Sequence, residues 1–72
     1  MIRFNKKLYY KYFDLFRISS FLRDSHIESR SRKAMELIKN ADKNGVDLSN
    51  KNQRIGVELD DFLINDINEF IE

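Results

Sequence analysis

Few side chains in this sequence could take part in catalysis. His26 is the only histidine, and there is no cysteine, so disulfides and sites with several thiolate or imidazole metal ligands are excluded. A lone histidine at the start of a predicted helix is commonly solvated. Asp60 and Asp61 are adjacent and would point about 100° apart on a helix, where they complement its dipole better than they form an acid pair. We therefore expect no enzyme and no cofactor.

One segment has the spacing of metal ligands. The sequence NADKNG at residues 40–45 resembles the first half of an EF-hand calcium loop. The second half departs from that pattern, because Asp47 stands where an apolar residue belongs and Lys51 stands where a bidentate glutamate is needed. A glycine that ends a helix explains Gly45 better, and we predict no metal site.

A second resemblance concerns the C-terminal third. Residues 53–61, QRIGVELDD, followed by the apolar helix pattern of 62–71, resemble the strand and first helix of ribbon-helix-helix repressors. The resemblance implies a strand that pairs across a dimer and enters DNA. Residues 29–38 resemble the second helix of that family but come earlier in the chain. Because the order is reversed, the family's function is not carried over.

The elements that must position these residues are helices. There is no proline and there are only two glycines, too few for a turn-rich β fold. Apolar spacing predicts an all-α, three-helix single domain over residues 1–72, with helices at about 6–23 and 26–44 and a third that ends at the C-terminus. Residues 46–58 are left open between loop, strand and helix, with a short strand at 55–59 as one alternative.

Helix ends and core positions follow from the same pattern. Ser25 and Glu28 have capping-box spacing, Gly45 is suited to the left-handed position after the second helix, and Asp60 is a predicted N-cap of the third. The central apolar positions predict four buried side chains, namely Leu15, Phe16, Ile38 and Leu63.

Charge is distributed unevenly along the chain. Residues 1–33 carry nine Lys or Arg against three Asp or Glu, and residues 34–72 carry four against nine. The last fifteen residues hold six acids and no base, which is unfavourable at the end of a helix dipole. We expect the basic half of the same chain, or of a second copy, to compensate for this acidic end. A solvated tail that frays is the alternative.

These features favour an accessory or regulatory protein that binds another protein through amphipathic helices, as a homodimer in the cytoplasm and without a membrane partner. Seven of the nine aromatic residues lie in residues 1–21, which suggests an interface on the first helix. The predicted interface residues are Tyr9, Tyr12, Phe13, Phe16, Asp66 and Glu69.

The alternative function is a small dimeric nucleic-acid-binding regulator. A basic cluster near a helix N-terminus suits phosphate, and residues 23–33 contain such a cluster. Its predicted contacts are Arg23, Arg30, Arg32 and Lys33. A solvated helix face explains the same residues without a ligand.

Overall fold

The computed structural model describes residues 1–71, and Glu72, one of the six acids at the acidic end, lies outside them. Four helices follow one another in the described chain: α1 at Arg3–Phe21, α2 at Ser25–Lys43, α3 at Lys51–Arg54 and α4 at Asp61–Ile71. The predicted all-α class is confirmed. The molecule measures 37 × 22 × 22 Å, and the long dimension reflects the antiparallel hairpin of α1 and α2.

The start of α2 differs from the prediction. Asp24, not Ser25, is the N-cap, because its carboxylate accepts the backbone N–H of Ile27 at 3.1 Å. The capping box predicted for Ser25 and Glu28 is therefore wrong, and none replaces it, because the residue three positions after Asp24 is Ile27. Glu28 instead forms an ion pair with Arg32 at 3.4 Å.

Gly45 ends α2 as predicted, with a φ of 75°. The N–H of Val46 donates to the carbonyl of Ala41 at 3.0 Å, and the N–H of Gly45 donates to that of Asp42 at 2.9 Å. These two bonds define a Schellman motif. The same residues that resembled half of a calcium loop thus serve to stop a helix.

The tip of the α1–α2 hairpin repeats this motif with a less suitable residue. Asp24 N–H donates to the carbonyl of Ser19 at 2.8 Å, and Arg23 N–H donates to that of Ser20 at 3.2 Å. Arg23 consequently has a φ of 59°, and it is the non-glycine residue of the described chain with a positive φ. This conformation costs an L-residue about 1–2 kcal/mol.

The segment left open by the sequence contains a short helix and no strand within residues 1–71. The strand alternative at 55–59 is wrong: Ile55 follows α3 directly, and Gly56 turns the chain with a φ of 83°. Asp60 then caps α4 as predicted, accepting the N–H of Leu63 at 2.8 Å. The strand that the ribbon-helix-helix resemblance implied is therefore missing.

The core lies between the hairpin and α4. Its fully buried large apolar side chains include Leu8, Ile38, Leu48, Leu63 and Ile67. The predicted burial of Ile38 and Leu63 is confirmed.

Two of the four core predictions do not hold. Leu15 is 39% exposed, so its predicted burial is wrong. Phe16 is only half-buried. Ser19, which lies nearer to the hairpin tip than either, is buried, so the buried row of α1 passes through Tyr12 and Ser19 and leaves Leu15 at its edge.

A buried polar clamp joins α1 to the loop after α2. The Asn5 side chain is fully buried. Its Nδ2 donates to the Val46 carbonyl at 2.7 Å and to Asp42 Oδ1 at 3.1 Å, while its Oδ1 accepts the N–H of Leu48 at 2.9 Å. Both polar atoms of the buried Asn5 side chain are thus hydrogen-bonded, as buried polar groups generally are.

Candidate protein interface

The six predicted interface residues do not form one surface. Tyr9 packs against the core, and Tyr12 belongs to it. Phe16 and Asp66 are half-buried, whereas Phe13 and Glu69 are exposed. The set therefore divides between the interior and two separate helices.

Tyr12 and Asp66 hold α1 and α4 together. The Tyr12 hydroxyl donates a hydrogen bond to Asp66 Oδ2. The pKa of the Tyr12 hydroxyl is raised above its usual range, chiefly because the hydroxyl is buried. The hydrogen bond to Asp66 and the negative charge of that carboxylate raise the pKa further. This pair is a helix–helix contact inside the molecule and is not available to a partner.

The basic half of the chain meets the acidic helix within one molecule. Lys11 Nζ lies 5.7 Å from the centre of the Phe70 ring, near the end of α4. A cation at this position offsets the negative end of the helix dipole. The contact is a cation–π contact, and no ion pair within residues 1–71 joins α1 to α4, so the compensation expected from the charge pattern stays a prediction.

One side of α1 is apolar along almost its whole length. Residues that recur every three or four positions share one side of a helix. On α1 these residues are Phe4, Leu8, Lys11, Leu15, Ile18 and Leu22.

Helix α4 covers only the first half of this side. The Phe70 ring meets the Phe4 ring edge-on, with centroids 5.6 Å apart. At its other end α4 begins beside Arg30, whose guanidinium lies 3.7 Å from the centre of the Phe62 ring. Towards the hairpin tip the apolar residues on this side of α1 become more exposed, from Leu15 through Ile18 to Leu22.

The uncovered part forms what we call the open stripe. Phe21 at the end of α1 and Ile27 in the first turn of α2 extend it around the tip. Its five members and their exposed fractions are Leu15 39%, Ile18 53%, Phe21 86%, Leu22 68% and Ile27 42%. With at most about 200 Å² for the full surface of each of these side chains, the stripe exposes up to about 600 Å². This equals the upper end for the largest apolar patch on a monomer, about 300–600 Å².

The basic cluster at residues 23–33 is partly engaged inside the molecule. All four of its cations are exposed. Arg30 stacks on Phe62, and Arg32 both pairs with Glu28 and lies 5.4 Å from the centre of the Phe16 ring. Within residues 1–71, Arg23 and Lys33 are the two cations of this cluster that make no ion pair and no contact with an aromatic ring.

No group of three or more acidic or histidine side chains in the described chain is placed to hold a metal ion. None of the helices in residues 1–71 combines the length and apolar composition that a membrane crossing needs. Comparisons with protein families, with curated proteins and with solved structures each return no match.

The open stripe was missed because the sequence pattern of a core and of an interface is the same. Leu15, Ile18 and Leu22 have the spacing of buried residues. The length of α4 is the signal that could have distinguished them. Its eleven residues span about 16 Å, against about 28 Å for the nineteen of α1. Such a helix covers little more than half of its neighbour.

Proposed function

We propose that this chain is a non-enzymatic accessory or regulatory protein that acts by binding protein through the open stripe. The binding partner that we propose for the stripe is a second copy of the same chain. The single observation that supports this function is an apolar helix side that α4 covers for half its length and then leaves open.

The area of the stripe fits such an interface. A standard interface buries about 800 Å² per partner, of which about 57% is apolar, or about 450 Å². The open stripe offers up to about 600 Å² of apolar surface. A two-fold arrangement would cover the same residues on both copies.

Charge also favours a second copy at this place. Residues 14–28 carry two cations and three carboxylates, and Asp14 lies 4.0 Å from Arg17 on the same helix. Two such tips meet without strong repulsion. A strongly basic or acidic tip would instead have favoured a partner of opposite charge.

Sedimentation of the purified chain tests this proposal. We expect a mass above the 8.7 kDa of one chain at micromolar concentration. Ile18→Asp should give a monomer, because it places a charge in the middle of the stripe. Ile55→Asp is the matched control, since Ile55 is 80% exposed and lies away from the tip after α3.

Thermal unfolding monitored by circular dichroism must show that both variants remain folded. A wild-type chain that stays monomeric over the whole concentration range would refute the second copy as occupant. Equal loss of association in both variants would refute the stripe as the site.

A further inference from the structure

A groove beside the first turns of α1 contains no residue of the open stripe. It measures about 550 Å³ and runs between the first turns of α1 and the end of α4. Four cations and two aromatic rings line it: Arg3, Lys6, Lys7, Lys11, Tyr10 and Phe70. We propose that this groove binds a short stretch of single-stranded nucleic acid.

The four cations of the groove take part in neither ion pair formed within residues 1–71. Asp14 is the one carboxylate among the lining residues, and it lies 4.0 Å from Arg17 on the next turn. The second ion pair within residues 1–71 joins Arg32 to Glu28 on α2. Four cations on little more than two turns of helix therefore face the groove together, although the whole chain has a net charge of only +1.

The aromatic rings favour a nucleic acid over a simple anion. Tyr10 is 52% exposed, and its ring is held edge-on by Phe13 at a centroid distance of 6.3 Å and by Tyr9 at 5.8 Å. An exposed ring beside cations can stack on a base while the cations bind the adjacent phosphates. This pairing of stacking surface and cationic groove is the usual means of binding single strands.

The exposed ring of Tyr10 argues against two other polyanions. The bases of a duplex are already stacked on one another and do not offer their faces to Tyr10. An acidic peptide offers carboxylates but no flat ring for the exposed tyrosine.

Fluorescence anisotropy with a labelled oligothymidylate and an oligouridylate of about ten nucleotides tests the proposal. With about four phosphates neutralised, the affinity should fall about fifty-fold between about 50 and 200 mM salt. Binding of one oligonucleotide or of both supports the proposal and distinguishes DNA from RNA. No binding of either at low salt would overturn it.

Matched variants locate the site. Lys7→Gln should weaken binding and lower the steepness of the salt dependence by about 0.7 in the logarithmic slope. Lys33→Gln removes the same charge from the cluster at residues 23–33 and should leave the affinity unchanged. The reverse result would place the nucleic acid at that cluster and overturn the groove.

Tyr10→Leu separates stacking from charge. We expect a loss of affinity of about five- to a hundredfold at every salt concentration, with an unchanged salt slope. An unchanged affinity would overturn the proposal, as would binding of polyglutamate as tight as that of the oligonucleotide. Binding to anionic lipid vesicles with none to the oligonucleotides would assign the groove to a membrane surface instead.

Discussion

Replacement of Asn5 by aspartate is expected to destabilise the fold in a pH-dependent way. In the wild type, Asn5 Nδ2 donates to the Val46 carbonyl at 2.7 Å and to Asp42 Oδ1 at 3.1 Å. An ionised aspartate cannot donate, so both acceptors lose a partner. It also places a second carboxylate against Asp42 in a fully buried position.

The magnitude follows from these contacts. An uncompensated buried charge of this kind costs about 3–5 kcal/mol. A domain of this length has a total stability of about 4–11 kcal/mol, so Asn5→Asp should lose a large part of it at neutral pH. Burial and the neighbouring Asp42 would raise the pKa of the new carboxyl in the folded state.

The sign of the pH dependence distinguishes charge from shape. The pKa of the new carboxyl is higher in the folded than in the unfolded state. The loss of unfolding free energy is therefore complete above the folded-state pKa, and it shrinks as pH falls and the carboxyl becomes protonated. The neutral acid can again donate to the Val46 carbonyl. Asn5→Leu, with nearly the same shape, leaves the Leu48 N–H and the Val46 carbonyl without partners at every pH and should show a constant deficit relative to wild type.

Urea unfolding monitored by circular dichroism at about pH 4 and pH 7 measures both deficits. The reasoning is refuted if Asn5→Asp loses the same free energy of unfolding at both pH values. It is also refuted if neither variant is destabilised, because the clamp would then contribute nothing to the fold.

Three further outcomes are expected. Arg23→Gly should leave the free energy of unfolding unchanged or raise it by up to about 1 kcal/mol, because glycine adopts a positive φ without strain but gains conformational freedom in the unfolded chain. A clear loss of unfolding free energy in urea would contradict the strain assigned to Arg23. Leu63→Ala should cost about 2–5 kcal/mol and Leu15→Ala much less, because Leu63 is buried and Leu15 is exposed; equal shifts in melting temperature would contradict this difference. Because the pKa of the Tyr12 hydroxyl is raised in the folded state, the contribution of this hydroxyl to stability is complete below about pH 10 and is lost as pH rises through the folded-state pKa. Tyr12→Phe should lack this alkaline loss of stability. Unfolding of both proteins as a function of pH measures the difference.

The helices and their ends were largely predictable because they depend on neighbours in the chain. Gly45 after α2 and Asp60 before α4 act through bonds that span a few residues. Asp24 was missed because Ser25 stands one position away and has equally good capping chemistry. The burial of Ile38 and Leu63 followed from helical periodicity alone.

The sequence by itself thus determined the helical class and two of the helix ends, Gly45 after α2 and Asp60 before α4, since these follow from local bonding and apolar spacing. Only the tertiary structure decided which half of the apolar side of α1 is covered, because that depends on where α4 lies and where it begins. It also decided that Tyr12 binds Asp66 inside the molecule while Leu22 faces outwards. Burial is a property of the whole packing arrangement, and identical spacing on one helix leads to a core at one end and an open surface at the other.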